Sequence, residues 1–127
     1  MKYLINIILA SAIIFVVYSI ANQFGVFGTM NGNPAITTSE LKERISRGDN
    51  PVILDVRQPE EYAEKNIPGS ILIPLGELPN RLSELEQYKD KEIVVHCKSG
   101  GRSATAQKFL LEKGYNAVNL SGGILAW

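Results

Sequence analysis

The chain's one cysteine, Cys97, opens the run Lys98-Ser99-Gly100-Gly101-Arg102-Ser103. The thiolate, not the thiol, is the nucleophile, and it is favoured by backbone N–H donors and nearby positive charge. Two adjacent glycines let the backbone approach the sulfur closely without an obstructing side chain. Lys98 and Arg102 supply charge, and Arg102 carries the planar fork that suits an oxyanion. A helix starting near Arg102 or Ser103 would turn its positive end toward the same point. These residue types in this order predict a loop built to stabilise a sulfur anion. A cysteine that only fills core volume needs none of them.

Periodicity indicates which elements must hold that loop. Ile93-Val94-Val95-His96 is an apolar strand run that delivers Cys97 at its C-terminal end. Neighbouring strand residues point to opposite faces, so His96 should point away from the sulfur, as a satisfied core or interface histidine. Ser103 to Lys113 reads as a helix with Ala106, Phe109 and Leu110 on one face, closed by Gly114 in a left-handed cap. Upstream, Thr37 and Glu40 form a capping box for a helix running toward Gly48. Val52-Ile53-Leu54 reads as a buried strand ending at Asp55, and Pro59 with Glu60 and Glu61 starts another helix. Ile71-Leu72-Ile73 is a further strand. Leu78, Leu82 and Leu85 share one face of a third helix, and Ala117 to Leu120 form the last strand. Strands alternating with helices predict an α/β domain with a largely parallel sheet. In such sheets ligands bind beyond the C-terminal strand ends, where Asp55 and Cys97 both fall.

Composition limits the setting. The 127 residues suffice for one domain, and 13 basic against 13 acidic residues leave no net field to attract nucleic acid. Apart from Lys2, every charged residue lies from Glu40 onward. Residues 3–20 are almost wholly apolar, and some 18 helical residues cover roughly 27 Å, near the thickness of a bilayer's hydrocarbon core. Residues 1–21 are therefore expected to be a transmembrane anchor or a signal peptide, with Ser19-Ile20-Ala21 fitting a cleavage pattern. In both cases the charge of Lys2 keeps the N-terminus cytoplasmic and sends the domain outside the cytoplasm, to the periplasm or the outer face of the membrane. Residues 22–34, rich in Gly and Asn, read as a linker, and 35–127 as the domain. A single cysteine allows no internal disulfide.

Taken together, HCKSGGRS at 96–103, DVR at 55–57 followed by PEEY at 59–62, NIPGS at 66–70 and LSGGILAW at 120–127 resemble the signatures of single-domain rhodaneses. These are sulfurtransferases that carry sulfur as a cysteine persulfide. The resemblance implies the rhodanese-like fold, a five-stranded, mostly parallel sheet flanked by helices. It also implies Cys97 as the catalytic residue, with Lys98, Ser99, Gly100, Gly101, Arg102 and Ser103 around the substrate. Asp55 and Arg57 match the family's Asp-x-Arg in a supporting role, Asp55 orienting loop amides or Arg102 and Arg57 pairing with Glu61. The donor would be thiosulfate or a similar small anion, and the acceptor a thiol or cyanide; no metal or organic cofactor is expected. Cysteine phosphatases and related arsenate reductases, some of this fold, place five residues between cysteine and arginine. Here four intervene, a smaller ring suited to one terminal sulfur. The rival readings are a non-catalytic binding module at the membrane and, behind it, a small phosphatase or arsenate reductase. Asn66 stands where many relatives have His, and the turn leading to Trp127 is expected to be short or frayed.

Overall fold

The computed structural model describes residues 28–30 and 32–127. The anchor or signal expected over 1–21 lies outside the described residues. Among these, no helix is long and apolar enough to cross a membrane. Six strands form one sheet: β1 (Gly28–Met30), β2 (Asn33–Ile36), β3 (Val52–Asp55), β4 (Ile71–Leu72), β5 (Glu92–His96) and β6 (Asn116–Leu120), in the order β1-β2-β6-β5-β3-β4. Five of them are parallel, and β1 pairs antiparallel with β2. Within the stretch 22–34, expected to be a linker, the chain adds a hairpin strand at the sheet edge. Backbone pairing builds this hairpin, with Gly28 opposite Ala35 and Met30 opposite Asn33, and no apolar alternation in the sequence announces it.

The helices are α1 (Thr38–Ser46), α2 (Pro59–Glu64), α3 (Leu78–Arg81) and α4 (Gly101–Glu112). The predicted capping box starts α1: Glu40 N–H donates to Thr37 Oγ1 at 3.1 Å and Thr37 N–H to Glu40 Oε2 at 3.2 Å. At the end of α4, Gly114 (φ +85°) donates its N–H to Leu111 O and Tyr115 donates to Leu110 O, which together close the last turn. The helix expected over Leu78 to Leu85 is not continuous. Only Leu78–Arg81 is α-helical, and it lies between 3-10 turns at Leu75–Glu77 and Leu82–Tyr88. Three residues per turn bring Leu82 and Leu85 onto one side, so Leu85 is buried all the same.

Strand alternation divides the core. Leu54, Val95, Cys97 and Ala117 pack on one face with Leu78, Leu85, Ala106 and Leu110. Ile53, Val94, Val118 and Leu120 pack on the other with Leu41, Ile67 and Ile124. Burying each of these large apolar side chains contributes about 1.5–3 kcal/mol. Topology then locates the chemistry. After β3 the chain leaves toward β4, whereas after β5 it leaves toward β6, so connections diverge between the two adjacent strands. This switch point is where an open α/β sheet forms a crevice, and Asp55 and His96, paired in register, sit on its rim.

Candidate active site

Cys97 follows directly on β5 and is 1% exposed. Gly100, at φ +122°, turns the chain back over the sulfur and donates its N–H to Sγ at 3.1 Å. A side chain at that φ would be strained, so the loop needs this glycine. Gly101 is different: a Cβ there would meet nothing within 4 Å, so close approach does not require it. Ser103, buried on the first turn of α4, places Oγ 3.4 Å from Sγ. Burial pushes the Cys97 thiol up, but the Ser103 hydroxyl and the backbone N–H groups of Ser103, Gly100 and Ser99 outweigh it, and the thiol lies below its ordinary value. The lowering comes from the loop's own donors, with no neighbouring base among its causes. Lys98 and Ser99 lie exposed on the outside of the loop.

Two residues outside the predicted set hold this loop from behind. Asn119, buried on β6, accepts Ser103 Oγ–H at Oδ1 (2.7 Å) and donates from Nδ2 to Gly100 O at 3.3 Å. Its only sequence signal is a polar residue between Val118 and Leu120 in a buried strand. Gly123, in the 3-10 turn Gly123–Ala126, has φ +57°, and a Cβ there would come within 2.6 Å of Cys97 O and 2.5 Å of Lys98 O. The same turn donates Ile124 N–H to Cys97 O (2.9 Å) and Leu125 N–H to Lys98 O (3.1 Å). It is also anchored at Trp127, whose carbonyl accepts from Lys42 Nζ at 2.7 Å while the ammonium sits 4.9 Å from the indole centroid. The last turn is bonded to the Cys97 loop, where a short or frayed turn was expected.

The charged residues pair differently from the prediction. Arg57 does not engage the Glu61 carboxylate. It binds Asp55, with Nη2 donating to Oδ2 at 2.7 Å and Nε to Oδ1 at 3.0 Å, and both side chains are buried. Its remaining donors reach the carbonyls of Glu61 (3.3 Å) and Lys65 (2.7 Å). Asp55 therefore orients Arg57 and not Arg102. Together they pin the end of β3 to α2. Glu61 is left for Arg102, which clasps it with both terminal nitrogens at 2.7 and 2.8 Å. The Arg102 hydrogen bonds, then the Gln58 N–H, hold the Glu61 carboxyl down at about 2. His96 points away from the sulfur as predicted, but it is not fully satisfied. Nδ1 donates to Cys97 O at 3.3 Å, whereas buried Nε2 has no hydrogen-bond partner and stands 3.6 Å from Asp55 Oδ2. Burial pushes its pKa down, so the ring is neutral near pH 7.

Beside the loop a cavity of about 250 Å³ is lined by Lys98, Ile124 and Leu125 on one side and Arg57, Glu61, Glu64 and Lys65 on the other. Leu125 is 68% exposed there. Among the described residues, no three His, Cys, Asp or Glu side chains gather as metal ligands. The arrangement is equipped to generate a sulfur nucleophile and to shelter a charged sulfur bound to it.

Residues 37–127 match a family described as "Rhodanese-like domain". The chain is 38% identical over 93 residues to a sulfurtransferase of Allochromatium vinosum, covering 72% of this chain and 85% of that protein. It is 37% identical over 71 residues to the thiosulfate sulfurtransferase PspE of Escherichia coli, covering 56% and 68% respectively. A crystal structure of a rhodanese-like domain protein from Staphylococcus aureus has 38% sequence identity and a TM-score of 0.69, covering 73% of this chain and 89% of that one.

Proposed function

The chain belongs to the rhodanese-like family and is a sulfurtransferase of that type, and from this premise we propose that it moves sulfane sulfur from thiosulfate to a thiol or cyanide through a Cys97 persulfide. The observation that carries the reading is the convergence of the Gly100 N–H and the Ser103 hydroxyl on Cys97 Sγ.

In the first half-reaction the Cys97 thiolate attacks the outer sulfur of thiosulfate. A Cys97 S–S bond forms, the donor's S–S bond breaks, and sulfite leaves with the electron pair. The persulfide's terminal sulfur now carries the negative charge, and the N–H groups of the loop around Sγ are the donors offered to it; each such charge-assisted bond contributes about 1.5–3 kcal/mol. In the second half-reaction a thiolate or cyanide attacks that terminal sulfur. The Cys97 S–S bond breaks, and its electron pair restores the thiolate while the acceptor leaves as a persulfide or thiocyanate. Proton transfer is not needed in either step with an ionised acceptor, which accords with a site whose histidine faces away from the sulfur. The name of PspE supports thiosulfate as donor.

The apolar run at 3–20 supports an extracytoplasmic domain, tied to the membrane if that run is retained, which membrane fractionation with N-terminal sequencing tests. For the chemistry, protein treated with thiosulfate and measured as an intact mass should gain one sulfur atom on Cys97 and lose it to cyanide. If the folded protein keeps a reactive Cys97 yet never gains sulfur from thiosulfate, the proposal fails.

A further inference from the structure

Arg102 ends the catalytic loop, and a free guanidinium there would bind oxyanions of any kind. It is not free. Both terminal nitrogens are taken by the Glu61 carboxylate at 2.7 and 2.8 Å, and the two side chains are only 36% and 30% exposed. Glu61 itself sits on a rigid mount. Its Oε2 accepts the Gln58 N–H at 2.9 Å in the first turn of α2. That helix is anchored in turn through Arg57, which donates to the Glu61 and Lys65 carbonyls while bound to buried Asp55. The carboxyl also stays ionised down to a pH of about 2. A side chain so placed neutralises the loop's arginine under all working conditions.

We propose that Glu61 is a specificity-determining residue that withholds Arg102 from oxyanions. The sulfur anion on Cys97 is served by backbone N–H groups and Ser103, which suit a single terminal sulfur. Sulfate, phosphate and the sulfite released in turnover are matched by a bidentate guanidinium instead, and Glu61 occupies it. Lys98 and Lys65, both exposed, on the same cavity and without an ion pair among the described residues, are left as the cations that draw in an anionic donor. The substrate side of this inference rests on the sulfur-transfer reading; the anion-binding side does not.

Glu61→Gln separates the two, because glutamine still accepts the Gln58 N–H at the start of α2 and loses only the charge that holds Arg102. The probe is sodium sulfate, read at constant ionic strength as protection of Cys97 against iodoacetamide in the full chain. The sulfate concentration giving half-protection should fall about three- to tenfold in Glu61→Gln, the size of one net hydrogen bond gained at a site this exposed. The gain should vanish in Glu61→Gln combined with Arg102→Gln, and the KM for thiosulfate should change by less than the sulfate effect, because the donor's reacting sulfur is served by the loop N–H groups and not by Arg102 alone. A folded Glu61→Gln protein with unchanged or weaker sulfate protection overturns the proposal. If thiosulfate loads no variant, the sulfur-transfer reading falls, while sulfate protection still decides the role of Glu61.

Discussion

A Cβ at Gly123 would stand 2.6 Å from the carbonyl oxygen of Cys97, so the last turn can lie against the Cys97 loop only because residue 123 has no side chain. The contact is backbone against backbone, reinforced by the Ile124 N–H to Cys97 O bond. Gly123→Ala should therefore move the loop as well as strain the turn. Strain at φ +57° together with the clash should cost on the order of 2–4 kcal/mol, seen as a lower urea midpoint. Turnover should fall more than stability explains, because the carbonyls displaced belong to Cys97 and Lys98. Wild-type turnover in the folded variant would show that the loop holds its shape without this brace.

Ser103 can donate its one hydroxyl proton to Asn119 Oδ1 at 2.7 Å, Gly100 O at 3.1 Å or Cys97 Sγ at 3.4 Å. The shortest contact favours Asn119 while Cys97 is a thiol; ionisation turns the balance toward sulfur, since a bond to a charged acceptor is about twice as strong as a neutral one. Ser103→Ala should raise the thiol's apparent pKa by about one unit. The rate of iodoacetamide labelling against pH reads this as a shifted inflection. An unmoved inflection would assign the lowering to the backbone amides alone.

Local signals carried much of this site. The loop from Cys97 to Arg102, the strand before it and the caps at Thr37 and Gly114 are written in neighbouring residues, because turns and caps are satisfied within a few positions. The direction of His96 also follows from strand alternation. What sequence could not express is partnership at a distance. Arg57 has two carboxylates within reach, Asp55 and Glu61, and only the fold decides between them. Arg102 closes onto α2 from another helix, leaving Glu61 occupied. Gly123 and Asn119 acquire their roles from β6 lying beside β5, and the β1–β2 hairpin is held by backbone bonds that impose no residue pattern.

The Asp55–Arg57 pair is buried on both sides, so removing one partner strands the other. Arg57→Met should destabilise the fold by about 3–5 kcal/mol, chiefly by leaving Asp55 buried without its cation. Asp55→Asn with Arg57→Met together should recover part of that loss, which a double-mutant cycle in urea measures. Loss of the clasp should also free the carbonyls of Glu61 and Lys65 and loosen α2. A single-variant cost below about 1 kcal/mol would place the pair among weak surface interactions.

His96 gives stability an acid limit whose sign follows from its burial. Its pKa in the folded protein lies below the ordinary 6.5, with burial the main cause, opposed by Asp55. Below pH 6.5 the unfolded chain takes up a proton that the folded chain refuses, so this contribution is complete above 6.5 and declines as the pH falls through the folded value. Glu61, held at about 2, loses its contribution in a separate and more acid window, below its ordinary 4.5. Between pH 7.5 and 5.5 the wild-type urea midpoint should therefore drop, and His96→Gln should flatten that slope while leaving the decline below pH 4.5 in place. Because His96 Nδ1 donates to the Cys97 carbonyl, the variant should also alter Cys97 labelling slightly at pH 7. Equal slopes in the two proteins would mean that His96 takes up its proton in the folded state as readily as in the unfolded one, with Asp55, 3.6 Å from Nε2, as the compensating charge.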